Sequence, residues 1–290
     1  GARVLITGRV EWAGIVMGRR YSPPAVSAAA AEKIVVNMGV QYGILTDLHP
    51  HAARLAAAAR NHPRMIETAM PLINDLPVEA VIRQLETLHY DDFENALEQM
   101  IRVNVRQMVT RDGGENETAL KRLCVCRGGF TYDAARAILG LDEDEAALMT
   151  RLRTLQRWAF VVRQSDERYT VNPLVVAAVG EDEAAHQPHY DFYYALARAY
   201  NQRQDYAGLD VESDNLTAAF EWALNKDAES ALWLVNECDN FLVNRGRFRQ
   251  YIDWMLRVTA ALVNHPDELR ANAQNSLGNA YVELAGIEDR

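Results

Sequence analysis

The sequence is poor in cysteine, carries no excess of positive charge and has no long apolar run. Its three cysteines among 290 residues are an odd number. Cys124 and Cys126 lie two apart and Cys238 is distant, which suits reduced thiols in a cytoplasmic protein. It does not suit a disulfide framework, and it lacks the Cys-x-x-Cys spacing of a zinc or redox site. The formal net charge is −10. Phosphate backbones are held by accumulated Lys and Arg, so this chain is poorly suited to coating nucleic acid. No apolar run approaches the ~20 residues that a membrane span needs. The opening Val4-Leu5-Ile6 has no basic lead and no cleavage site, so no signal peptide is expected. No catalytic constellation stands out either: there is no Ser-His-Asp arrangement in recognisable context, and the acids are not paired for acid/base work.

What the sequence does have is helix formers. Hydrophobic residues make up 49% of it, and Ala, Leu, Glu, Arg and Gln dominate. The length suggests two or three domains, and the fold class expected is mainly α. The exception is Val4 to Thr7, a short strand whose partner strands must lie elsewhere. After the loop Tyr21-Ser22-Pro23-Pro24, Ser27 caps a helix over Ala28–Met38, stopped at Gly39. A second helix follows Asp47. Asn61-His62-Pro63 ends it, and Pro63 starts a third over residues 64–73. Asp75-Leu76-Pro77 opens a new unit, with amphipathic stretches over 78–88 and 92–109. Residues 111–116, Arg-Asp-Gly-Gly-Glu-Asn, read as the most loop-like stretch of the chain. Then come a helix over 119–126, a Thr131-capped helix over 132–139 closed by Gly140, and a helix begun by Asp142. Phe160-Val161-Val162 and Tyr169-Thr170-Val171 are β-rich and flank the polar turn at 164–167. Three helices and then a hairpin is the order of a winged helix. From Glu183 onward every segment reads as helix, with Phe192, Tyr193, Tyr200, Phe220, Trp222, Trp233, Phe241, Tyr251 and Trp254 as core. Ser276-Leu277-Gly278-Asn279-Ala280-Tyr281 matches the Leu-Gly-x-x-Tyr core of a tetratricopeptide first helix, where the small Gly lets the paired helix approach. A helix pair cut in half cannot bury its face, so the chain is expected to be a piece of a longer protein.

Several segments fall in the order of a known family. Arg3-Val4-Leu5-Ile6-Thr7-Gly8-Arg9 resembles the strand that ends in Thr-Ser/Thr-Arg. Asn61-His62-Pro63-Arg64-Met65 resembles the Gly-Asn/Leu-Pro-Leu segment. Residues 120–131, Leu-Lys-Arg-Leu-Cys-Val-Cys-Arg-Gly-Gly-Phe-Thr, are similar to the start of the family's winged helix. Arg168-Tyr169-Thr170-Val171-Asn172-Pro173-Leu174-Val175 resembles its Arg-Tyr-x-Leu-His-Pro-Leu-Val end. Leu209-x-x-Glu212-x-x-Asn215-Leu216-x-x-Ala219-Phe220-x-Trp222-Ala223 resembles the linker helix that leads into the repeats. The family is the STAND class of signal-transduction ATPases, NB-ARC-like proteins. The resemblance covers nearly the whole chain and rests on the joint order of motifs that are individually weak.

The resemblance implies four units: 1–20 as the end of the nucleotide-binding core, 21–75 as a small helical domain, 76–182 as the winged helix, and 183–290 as a helical linker with tetratricopeptide-like repeats. It implies ADP or ATP with Mg²⁺ as cofactor of the intact protein, contacted by Arg9 at the terminal phosphate, Pro63 at the adenine and Asn172 near the phosphates. No Gly-x-x-x-x-Gly-Lys-Ser/Thr and no Walker B acids are present, so this piece is expected to be inactive alone and to bind no nucleotide tightly. Asn172 stands where relatives carry His; it can donate a hydrogen bond but cannot carry charge. The implied function is a nucleotide-dependent signalling switch controlling transcription or defence. Its repeats would sense a protein or small-molecule ligand, and it would form a homo-oligomer on activation. The alternatives are an interaction scaffold with a decayed nucleotide site, or a DNA-binding winged helix using Arg151, Arg153, Arg157 and Arg163. Against DNA, residues 142–145 put four acids at the start of the same helix. His186-Gln187-Pro188-His189 with Asp191 has metal-ligand residue types but reads as a helix-start loop.

Overall fold

The structure is a computed structural model that describes residues 26–141, 144–164 and 167–288. It is mainly helical, with one small three-stranded sheet. The strand expected at residues 4–7, the unit 1–20 and Arg9 lie outside the described residues.

The first helices are α1 (Ala28–Gln41), α2 (Leu45–Leu48), α3 (Ala52–Ala58), α4 (Pro63–Ile73) and α5 (Val78–Glu86). Ser27 caps α1 by accepting from the Ala30 amide at 3.3 Å. Gly39 does not stop this helix, contrary to expectation: it is a buried helical residue. A Cβ there would come within 3.0 Å of Leu48 Cδ2, so its smallness serves packing. The second helix breaks in two at Pro50, in the short 3-10 turn His49–His51, because proline has no amide to donate and restricts the residue before it. α1 packs on α3 and α4, and α5 packs on α3 and α4.

The 20-residue α6 (Phe93–Asp112) is capped by Asp92, which accepts from the Asn95 amide. It packs against α4, against α7 (Glu115–Leu123) and against the later helix Pro173–Val179. The loop expected at 111–116 shrinks to Gly113 and Gly114, between α6 and α7. Tertiary contact extends the helix: the Asp112 carboxylate accepts from Trp158 Nε1 at 2.9 Å and from Arg157 at 2.6 Å. Gly113 then turns the chain at φ +93°, where a side chain would be strained.

Next come β1 (Phe130–Thr131), α8 (Tyr132–Leu139), α9 (Glu145–Arg157), β2 (Val161–Arg163), β3 (Arg168–Val171) and α10 (Pro173–Val179). Thr131 caps α8 and Gly140 closes it in the left-handed region, both as the sequence indicates. The expected hairpin forms, and β3 lies between β2 and β1 in an antiparallel sheet of order β1-β3-β2. Val161 pairs with Val171 and Phe130 with Tyr169. β1 escapes sequence reading because two residues show no alternation. It is admitted by Gly129, where a Cβ would lie 2.6 Å from the Tyr169 carbonyl. Phe130, Trp158 and Phe160 fill the core beneath.

The last helices are α11 (His186–Arg203), α12 (Tyr206–Val211), α13 (Ser213–Lys226), α14 (Ala228–Asn244), α15 (Phe248–Ala261) and α16 (Asp267–Glu288). Successive long helices pack on one another: α11 on α13 and α14, α13 on α14, α14 on α15, α15 on α16. Phe220 stacks on Trp254 at 4.4 Å between centroids, and Tyr193, Phe220 and Phe241 are buried as expected. Trp233 departs from the core reading, with 40% of its surface exposed. Around Gly278 nothing among the described residues lies within 4 Å of an added Cβ, and the paired helix expected for it falls outside those residues. At Gly208 a Cβ would meet the Tyr200 ring at 2.6 Å.

Candidate functional site

Pro63 sits at the first position of α4, half-buried, at a strained corner. Arg60 and Asn61 both have positive φ, 54° and 57°. The left-handed region costs Arg60 roughly 1–2 kcal/mol, and less at Asn61, because asparagine is among the few side chains that visit it. Backbone bonds hold them there: Asn61 N donates to Ala56 O at 2.8 Å and His62 N to Ala59 O at 3.0 Å. The His62 ring lies 3.9 Å from that of Phe93, and burial lowers its pKa. Tyr90 donates to the Ala58 carbonyl at 2.9 Å, and the Arg60 guanidinium lies 5.3 Å over its ring. Burial pushes the Tyr90 hydroxyl up to about 12. Asn61 Oδ1 is shut away from solvent and, among the described residues, has no hydrogen-bond partner.

Asn172 is the N-cap of α10. Its side chain accepts from the Leu174 amide at 3.1 Å, and its own amide donates to Phe160 O at 3.1 Å. The structure does not bring Pro63 and Asn172 together. His62 meets Phe93 at the start of α6. Asn172 bonds to Phe160, whose ring stacks near Trp158, which holds Asp112 at the end of α6. A helix of this length spans about 30 Å.

A third place was quoted in the sequence but not singled out as a site. Arg168 on β3 pairs with Glu212, ahead of α13, at 2.6 Å and 3.1 Å in a two-pronged contact. The two side chains are only 13% and 6% exposed. The Nη2 that contacts Glu212 also lies within hydrogen-bond distance of the carbonyls of Gly128, Gly129 and Val211, at 3.1, 3.3 and 3.2 Å, and Nε donates to Gly128 O at 3.2 Å. Asn215 is fully buried beside them. Its amide donates to Gly129 O at 2.8 Å and to Glu212 at 2.9 Å, and its oxygen accepts from the Arg127 amide at 2.7 Å. His189 Nε2 lies 3.4 Å from the same oxygen. Burial holds His189 down at about 4, so it is neutral near pH 7. The Cys126 thiol is buried and pushed up as well, which makes it inert. This junction ties the sheet to the last helices. Glu212 and Asn215 stand three apart beside Asp210, Ser213 and Asp214, so nothing in the local sequence distinguishes the two that are buried.

Beside the junction lies a cleft of about 730 Å³ whose walls include Arg127, Glu181, His186, Asp214 and Trp222. The arginines considered for DNA are partly claimed by acids: Arg151 by Glu115 at 2.6 Å, and Arg157 by Asp112 at 2.6 Å, while Arg153 is exposed. His186 to His189 form no loop but the first turn of α11. Among the described residues no group of His, Cys, Asp and Glu is arranged to hold a metal ion. Nor is any described helix long and apolar enough to cross a membrane.

Comparison with protein-family models, curated proteins and solved structures finds no match to this chain.

Proposed function

We propose that the chain is the lock-and-sensor portion of a nucleotide-dependent signalling switch of the STAND class. The observation that carries the reading is the Arg168–Glu212–Asn215 junction. Two segments that resemble the family, far apart in sequence, supply its partners to each other. The order helix, β1, helix, helix, hairpin over 115–171 supports a winged helix in the expected place. The strain at Arg60 and Asn61, with the orphaned Asn61 oxygen, supports a ligand-facing role for the Pro63 corner, since strained residues and unpaired buried polar atoms gather at such sites.

In this reading ADP in the longer protein holds the helical unit and the winged helix closed. The winged helix moves with α11–α13 as one piece, because parting them would leave Arg168, Glu212 and Asn215 buried without partners. A ligand sensed by the last helices opens the switch only if it binds the open form better. The test is nucleotide binding by a version of the protein extended N-terminally to include a phosphate loop. Binding of ADP or ATP supports the switch, and binding of neither ends it.

A second reading, an interaction scaffold with a decayed nucleotide site, is favoured by Asn172. Its amide can donate to a phosphate but cannot carry the charge that a protonated His would bring, while its oxygen caps α10. An Asn172→His version of the extended protein separates the two. Tighter ADP binding on restoring His favours decay, and unchanged binding favours a working site.

A further inference from the structure

A groove of about 320 Å³ lies between α6, α7 and α10, and its charge runs against that of the chain. Arg102, Arg106 and Lys121 line it, with Glu117 as the one acid among the lining residues. The floor is apolar: Val105, Ala178 and Val179. Arg102 and Arg106 are four apart on α6 and therefore point the same way. Both are exposed. Arg102 has only a loose contact with Glu98 at 3.9 Å, while Lys121 is held by Glu117 at 2.7 Å. Among the described residues Arg106 has no carboxylate within salt-bridge distance. Exposed pairs of this kind contribute little to stability, so a ligand displaces them easily.

The bland account of such cations is that they offset the negative end of a helix dipole. The groove does lie at the end of α10, where Ala178 and Val179 stand. None of the three, however, donates to a carbonyl of that turn among the described hydrogen bonds. Three cations converging on a concave site from two helices, around an apolar floor, is the donor set of an oxyanion site. Guanidinium forks bind phosphate oxygens two at a time, and an ammonium adds a point charge.

We propose that this groove binds a small phosphate-bearing molecule, with Arg102 and Arg106 as forks and Lys121 as the third donor. The site is separate from the Pro63 corner and from Asn172, and it does not depend on the switch reading. The ligand holds α6, α7 and α10 together, so it also stabilises the fold in proportion to its saturation.

Titration calorimetry of the 290-residue chain with pyrophosphate at low salt tests this. The expected result is saturable one-to-one binding, weakened at least tenfold by Arg106→Gln and by Arg102→Gln, with Arg153→Gln on α9 behaving as the unaltered chain. Thermal unfolding of each variant without ligand shows that it is folded. Absence of saturable binding overturns the site. Equal weakening by Arg153→Gln also overturns it, since the effect would then be general charge. Citrate binding as tightly as pyrophosphate overturns the assignment to phosphate.

Discussion

The Pro63 corner and the Arg168 junction are built from the same kinds of residue, yet they are opposites. At the junction every polar atom of Asn215 is engaged, and Arg168 reaches a carboxylate and three carbonyls. At the corner the backbone is left-handed at two consecutive residues, with the strain concentrated at Arg60, and the Asn61 oxygen has no partner among the described residues. A buried network this densely paired fixes two elements to each other and resists change, although the Tyr193 hydroxyl beside Glu212 and Arg168 has no hydrogen-bond partner among the described residues. A strained and unsatisfied one persists because the surroundings over-determine it, which is the usual mark of a place kept for something other than stability. Stability should therefore be sensitive at the junction and indifferent at the corner.

The largest effect is expected from Glu212→Ala, which leaves the Arg168 guanidinium buried and unpaired. Chemical denaturation should show a loss of about 3–5 kcal/mol. A loss under about 1 kcal/mol breaks the comparison, because the junction would then not hold the two regions together. The paired change Arg168→Met with Glu212→Leu should recover most of the loss, since apolar replacement of a whole buried pair is often neutral.

The next effect is one of pH. His189 titrates near 6.5 when unfolded and is held down at about 4 in the fold. The unfolded chain therefore binds more protons between those values, and stability falls as pH drops from 6.5 toward 4. The size is about 3 kcal/mol at most. Arg127 and His186 face the ring and lower its pKa further, while the Asn215 contact opposes them. His189→Gln should flatten the slope in that window. An unchanged slope would show that the carboxylates alone produce it.

Asn215→Ala removes the bonds to Gly129, Glu212 and Arg127 at once and should lose about 1–3 kcal/mol by denaturation. A neutral result would place the strength of the junction wholly in Arg168–Glu212. The smallest change is expected at the corner. Asn61→Gly relieves the remaining left-handed strain and deletes the orphaned oxygen but frees the unfolded chain, so thermal unfolding should change by less than about 1 kcal/mol. A loss greater than 1 kcal/mol would mean that the Asn61 side chain supports the fold, and the contrast between the two regions would fail.

Much of the local architecture is legible without the structure. Ser27 and Thr131 announce the helices they cap, Pro63 announces α4, and the polar turn at 164–167 announces the hairpin. These signals lie within a few residues of what they determine. The candidate site was less legible. Pro63 and Asn172 could be marked by resemblance, but nothing in their own segments tells that they sit toward opposite ends of α6. Trp233 carries the sequence pattern of a packed core, and its surroundings do not supply one.

What the sequence by itself determined is where helices start, where the hairpin turns and which residues are too apolar to face water. Those choices depend on capping, backbone limits and side-chain period, all of which act locally. Tertiary structure decided that Gly39 continues a helix, that α6 runs on to Asp112, that a two-residue strand joins the sheet, and that Arg168, Glu212 and Asn215 share one buried network. Each of these depends on a partner outside its own segment: Leu48 for Gly39, Trp158 for Asp112, Tyr169 for Phe130 and Glu212 for Arg168. A buried polar group is stable only with its partner in place. In this chain that partner lies 44 residues away for Arg168, beyond the reach of any local rule.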